Sequence, residues 1–174
     1  MLYIALLRGI NVGGHNKVPM AEVRMALSEV GLKNVQTYIQ SGNIVFRFIE
    51  DIATAEKLIQ STIFNHFGIE IPVIVKTRAQ METIFDACPY ELEKKTKSYF
   101  IIFNKTPIPD DLKAGQQLVL KNEEVLITDK ALYLYSSLGM GKSKFNMKIF
   151  ERKLNVTGTS RNYNTMLKLL SLSL

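Results

Sequence analysis

Three short polar stretches carry most of the side chains able to bind or react. The first, RGINVGGHNKVPM at residues 8–20, sets Arg8, Asn11, Gly13, Gly14, His15 and Lys17 between an apolar run and a proline. Glycines at 9, 13 and 14 leave backbone N–H groups accessible, and a helix starting beyond them would add the positive end of its dipole. Such a loop suits an anion, with Lys17 and Arg8 supplying charge. The glycine spacing is not the G-x-G-x-x-G of a dinucleotide loop. The same composition also suits a plain crossover in which Asn11 and Asn16 close turns. His15 as a general base has no evident nucleophile to serve.

The second stretch, GMGKS at 139–143, approaches a phosphate loop but has Ser136 where that motif requires its first glycine. What survives is a glycine turn with Lys142, Ser143 and Lys144 at an expected helix start. If Ser143 opens that helix, Lys144, Lys148 and Arg152 form one stripe, and Met147, Phe150 and Leu154 face inward. The third stretch, TSRNYNT at 159–165, offers Thr159 or Ser160 as a helix cap and Arg161, beside Asn162, as a partner for phosphate or carboxylate. Capping and an internal ion pair explain it equally well.

Hydrophobic periods give the strands and helices between which these loops lie. Leu2–Leu7 is an apolar run of strand length, and after the glycine loop Val23, Ala26, Leu27 and Val30 recur at helical spacing from Pro19 until Gly31. VQTYIQ and NIVFRF join through Ser41-Gly42-Asn43 as a hairpin. A helix follows from Ala53 to Phe67, stopped by Gly68, and IPVIVK closes the series. The order β-α-β-β-α-β is a ferredoxin-like plait.

A second series runs through a helix at 79–87, a strand at 98–103, a short helix at 110–115, paired strands at 124–128 and 131–136, and two basic helices. The expected class is therefore α+β with two small subdomains. The plait occupies 1–78, a helix and connecting segment 79–97, and a related β-α-β-β-α unit with extra C-terminal helices 98–174.

A 174-residue chain with 47% hydrophobic and 22% charged residues can bury a real core. Cys88 is the sole cysteine, and with only His15 and His66 beside it neither a disulfide nor a zinc cluster is expected. No signal-peptide core or membrane span is readable, which makes the cytoplasm the expected location. No cofactor is implied, and no feature specifies an oligomeric state.

The net charge of +6 is unevenly distributed: Met1 to Tyr90 holds eight basic and eight acidic residues, Glu91 to Leu174 fourteen and eight. A basic surface raises the local concentration of phosphates or nucleic acid, although a solvated helical face would read the same way.

Plaits often bind RNA by stacking bases on sheet aromatics. Here LYIALL resembles the first-strand signature, but SGNIVFRF puts Asn43 and Val45 where the other signature needs aromatics. By alternation Gln36, Tyr38 and Gln40 share one sheet face, as Asn43, Val45 and Arg47 do, with Lys76 on the same side.

ALLRGINVGGHNKVPMAEVR, TYIQSGNIVF, GMGKSKF and TSRNYNT, in this order and spacing, resemble the bacterial family catalogued as domain of unknown function 1697. The resemblance covers nearly the whole chain and implies two small plait-like α+β subdomains, with no assigned activity. One position departs: the family usually has Trp after the Arg-Asn pair, and this chain has Tyr163.

The residues fit first a binding module for a phosphate-bearing ligand, a nucleotide or nucleic acid, using Arg8, Lys17, Lys142, Lys144 and Arg161. They fit second an enzyme acting on a small polar or phosphorylated metabolite in a cleft between the subdomains, with His15, Ser41, Asn43 and Arg161 as its polar residues. A protein-interaction adaptor is the third class.

Overall fold

A computed structural model describes residues 1–174. Two compact units emerge, one formed by Met1–Met81 with Lys168–Leu174 and the other by Glu82–Leu167.

The first unit runs β1 (Leu2–Leu7), α1 (Met20–Glu29), β2 (Lys33–Tyr38), β3 (Asn43–Arg47), α2 (Ile52–Phe67) and β4 (Val73–Thr77), with an antiparallel sheet in the order β2-β3-β1-β4. Tyr3, Ala5 and Leu7 of β1 join Val23 and Leu27 of α1 and Ile59 and Ile63 of α2 in one core. Ile4 and Leu6 point the other way and are equally buried, so the apolar run is continuous because both faces of the strand are covered.

Helix boundaries follow local chemistry. Asp51 accepts from the Thr54 amide at 2.8 Å at the start of α2, and Gly68 ends it at φ 69°. Pro19, expected as the first helical residue, is instead the extended N-cap of α1. Val30, expected on the inward face, falls past the helix end and is exposed.

The second unit repeats the plan as β5 (Tyr99–Phe103), α5 (Pro109–Gln116), β6 (Glu123–Ile127), β7 (Ala131–Ser136), α6 (Met147–Leu154) and β8 (Gly158–Asn162), with sheet order β6-β7-β5-β8. Counted within each unit, the strand order is the same, so the chain holds two β-α-β-β-α-β plaits. Helices α3 (Arg78–Asp86), short α4 (Leu92–Lys95) and α7 (Tyr163–Leu172) complete the chain. The division between the units passes through α3 and α7.

Two sequence expectations need correction here. Thr159 and Ser160, expected to cap the last helix, lie instead with Arg161 and Asn162 in β8, which completes the second plait. Moreover α6 starts at Met147 behind the N-cap Asn146, four residues beyond Ser143. The inward set of that helix stands, since Phe150 and Leu154 are buried and Met147 packs against them.

The two plaits share a further detail. Glu56 on α2 accepts from the Val75 amide of edge strand β4 at 2.9 Å, and Glu151 on α6 accepts from the Gly158 amide of edge strand β8 at 2.8 Å. Each last strand thus has an outward amide satisfied by a helix carboxylate, which removes a donor that another strand could use. No helix is long and apolar enough to cross a membrane.

Candidate functional site

The loop between β1 and α1 folds as a miniature hairpin. Val12 and His15 pair across Gly13-Gly14, the His15 amide donates to Val12 O at 3.0 Å, and the Asn11 amide to Asn16 O at 3.1 Å. Gly13 at φ 58° and Gly14 at φ 79° supply the two positive dihedrals that a tight hairpin turn demands. Asn11 and Asn16 take positive φ as well, and their side chains work as internal connectors. Asn11 Nδ2 donates to Val18 O and Gln40 O at 2.9 and 2.8 Å, while its Oδ1 accepts from the Val18 amide at 2.8 Å; Asn16 Nδ2 donates to Gly9 O. The amides of Asn11, His15 and Val18 are thereby engaged within the loop, and the polar side chains it shows to solvent include His15 and Lys17.

The hairpin turn between β2 and β3 docks on the same end of the sheet. Ile39 takes φ 49°, and fully buried Asn43 donates to Tyr38 O at 3.1 Å and to Ser41 Oγ at 2.9 Å. Gly42 lies against β1, its carbonyl accepting from the Leu7 amide at 2.8 Å. A Cβ there would stand 2.6 Å from Leu7 Cβ and 2.9 Å from Ile10 Cδ1. The first two sequence motifs therefore meet, through Asn11 to Gln40 and through Gly42 to Leu7 and Ile10. Within the turn, Asn43 Nδ2 donates to Ser41 Oγ, which ties the two polar residues to each other.

Pairing places Gln36, Tyr38, Asn43, Val45 and Lys76 on one face of the first sheet, as alternation suggests, whereas Gln40 lies in the turn. Ile4, Leu6, Asn43, Val45 and Ile74 on that face are buried. A groove of about 630 Å³ in this unit runs along α2, lined by Lys57, Gln60, Phe64, Glu70 and Ile71 among others, and includes none of the expected ligand residues.

In the second unit the loop after β7 already contains a carboxylate. Ser143 Oγ donates to Glu123 Oε1 at 2.9 Å, and the Lys144 amide donates to the same oxygen at 2.9 Å; the Asn122 amide reaches Oε2 at 3.3 Å. Hydrogen bonds from the Lys144 amide and the Ser143 hydroxyl hold the Glu123 carboxyl below its ordinary range, as expected for a carboxylate received by several donors. Ser143 Oγ also accepts from the Phe145 amide at 3.1 Å. Ser143 and Lys144 do hold an anion, and that anion belongs to the chain. Glu123 escapes sequence reasoning because it lies 20 residues from Ser143 with no local pattern linking them.

Arg161 and Asn162 sit on β8, at the opposite edge of the sheet from β6. Three interstrand steps, roughly 14 Å at the usual strand spacing, separate the Arg161 strand from the Glu123 strand. Arg161 is only 6% exposed; its Nη1 donates to Thr159 Oγ1 at 2.9 Å and Ser160 O at 2.8 Å. Burial lowers its pKa to about 10, which leaves it cationic near neutrality. Asn162, rather than Thr159 or Ser160, begins α7, its Oδ1 accepting from the Thr165 amide at 2.9 Å.

Lys142, Lys144, Lys148, Arg152 and Lys153 are all exposed along the β7–α6 loop and α6. The acids that accompany them are occupied, Glu123 by the loop and Glu151 by the Gly158 amide. This run places five exposed cations within twelve residues. Arg8 and Lys17 belong to the first unit and Arg161 to the opposite edge of the second sheet.

The chain aligns over 99% of its length with 98% of the conserved bacterial protein SP0830 from Streptococcus pneumoniae, at a TM-score of 0.80 and 27% identity. No curated protein matches it. Residues 1–133 match the family described as protein of unknown function (DUF1697). That match covers the whole first plait and the second through the start of β7. The chain belongs to the DUF1697 family.

Proposed function

We propose that the chain is a binding module for a phosphate-bearing polymer, a nucleic-acid strand, held by the exposed cations of residues 142–153. The supporting observation is an excess of exposed positive charge, with Glu151 the one acid in the same run. Five cations face solvent over twelve residues, while the carboxylates of Glu123 and Glu151 are turned to backbone amides. Along α6, Lys148 and Arg152 stand one turn apart, with a rise of about 6 Å between them, so one strand can meet both.

Contacts of this kind position a phosphate backbone without reading bases. The buried residues on both faces of the first sheet are consistent with that, because a base-stacking platform needs an open face. Binding should therefore tolerate sequence changes and weaken steeply with salt. The test is fluorescence anisotropy with a labelled single-stranded oligonucleotide. Lys148→Glu with Arg152→Glu is expected to weaken binding at least tenfold, while Lys57→Glu on α2 leaves it within twofold. Equal affinity of the α6 variant and the wild type would reject the reading.

A further inference from the structure

We infer that the β7–α6 loop is a phosphate subsite whose donors are held by Glu123 until a phosphate group displaces it. The inference deepens the polyanion reading and rests on it. The Ser143 hydroxyl and the Lys144 amide converge on a single oxygen, Glu123 Oε1, both at 2.9 Å. Lys142 and Lys144 stand on either side of Ser143 in the chain, and both are exposed. Two neutral donors on one oxygen, with lysines next to them in the chain, are also what a phosphodiester oxygen needs, and a phosphate brings further oxygens for the lysines.

Glu123 fits the role of a displaceable occupant. It is the first residue of edge strand β6, so its side chain can leave the loop without any break in the ladder, which pairs Glu123 with Ser136 through the backbone. Its neighbour Glu124 is turned elsewhere, to Lys94 at 2.7 Å, and does not compete for the loop. With Glu123 in place the loop has one negative charge against two lysines. With Glu123 withdrawn, two hydrogen-bond donors and the full positive charge face solvent.

Displacement involves no covalent step: a carboxylate and a phosphate exchange places on the same donors. The bound phosphate gains charge-assisted hydrogen bonds that the carboxylate gives up, and the carboxylate returns to water. Glu123 therefore lowers affinity for every phosphate ligand, and sets a threshold that a polymer with several phosphates crosses more readily than a single phosphate ion.

The test compares Glu123→Ala, Glu123→Gln and Glu93→Gln with the wild type, using the labelled oligonucleotide and, separately, inorganic phosphate. Glu93→Gln removes one negative charge at an exposed ion pair with Lys97 and serves as the charge control. Glu123→Ala is expected to bind the oligonucleotide about tenfold more tightly, with a salt dependence steeper by about 0.7 in log–log slope, the value of one added single-strand phosphate contact. Glu123→Gln, which keeps an oxygen for the Lys144 amide, is expected to fall between, and Glu93→Gln to stay within twofold.

Adding Ser143→Ala to Glu123→Ala should remove part of the gain. Faster hydrogen exchange at the Lys144 amide in unliganded Glu123→Ala would show the donor released. If the wild type binds but Glu123→Ala is no tighter than Glu93→Gln, the subsite is refuted while the polyanion reading stands. If neither the wild type nor Glu123→Ala binds the oligonucleotide, both fall. Tightening for inorganic phosphate but not for the oligonucleotide would locate the site yet reject the polymer as its occupant.

Discussion

Gly42 and Leu7 are in direct contact at the end of the first sheet: the Leu7 amide donates to the Gly42 carbonyl at 2.8 Å, and a Cβ on residue 42 would lie 2.6 Å from Leu7 Cβ. Because φ at Gly42 is +80°, an L side chain there meets both a steric and a dihedral penalty. Gly42→Ala is expected to destabilise the protein by about 2–5 kcal/mol, the sum of overpacking and left-handed strain. Gly14→Ala offers the contrast: φ is +79° but nothing lies within 4 Å of the added methyl. It should cost about 1–2 kcal/mol, the dihedral part alone. Urea denaturation of the two variants separates the contributions, and equal losses would contradict the packing described at Gly42.

Asn11 joins the two best-marked motifs by one side-chain hydrogen bond, to the Gln40 carbonyl, and closes its own loop by two more with Val18. Asn11→Asp keeps the acceptor for the Val18 amide but replaces the donor to the Val18 and Gln40 carbonyls with a charge. A loss of about 2–4 kcal/mol is expected, more than for Asn11→Gly, which keeps the positive φ and removes the bonds without adding repulsion. Thermal melts rank the two variants. The reverse order would show that the amide donors do not hold the loop to the turn.

Glu56 supplies a pH signature. Burial pushes its carboxyl above the ordinary range, partly opposed by the Val75 hydrogen bond and by Lys76, whose own pKa burial lowers. A group with a raised folded pKa adds stability that is present at low pH and is lost as pH rises through that pKa. Glu56→Gln keeps an acceptor for the Val75 amide and cannot ionise. Its stability relative to the wild type is expected to rise as pH increases from about 4.5 upward. A flat or falling difference in denaturant midpoint between pH 4 and 8 would contradict the assignment.

Tyr133 is fully buried, and its hydroxyl donates to Ile84 O at 2.8 Å within the second unit, beside an edge-to-face contact with Phe100. Tyr133→Phe keeps the ring and leaves one buried carbonyl without this donor, so a loss of about 1–2 kcal/mol is expected. Burial also drives the phenol pKa up to about 12, so difference spectroscopy should find this tyrosine titrating above an ordinary phenol.

The first plait, and the β-α-β-β-α part of the second unit, were legible in the sequence where apolar periodicity was strong. Leu2–Leu7, the α2 repeat closed by Gly68, and the paired strands on either side of Asp129-Lys130 all stand where the pattern puts them. Strand β8 was not legible because Gly158-Thr-Ser-Arg-Asn has no apolar alternation. It is an edge strand whose burial comes from Thr159 and from an arginine, and only its pairing with Phe100, Ile101 and Ile102 reveals it.

The polar loops were recognisable as special, but their hydrogen bonds were not. Asn11 reaches Gln40 across 29 residues and Ser143 reaches Glu123 across 20, distances at which local sequence has no grammar for a partner. Helix α6 begins late for a related reason, since Ser143 is engaged by Glu123 and Asn146 takes over as cap.

The salt dependence of oligonucleotide binding decides whether the cations of residues 142–153 meet a phosphate backbone. With four phosphate contacts from the cations of residues 142–153, affinity for a single strand should fall roughly fiftyfold between about 50 and 200 mM salt, and the log–log slope should drop by about one contact for each cation reversed. Binding that is indifferent to salt, or a slope unchanged by Lys148→Glu and Arg152→Glu, would contradict the assignment of this surface to a phosphate backbone.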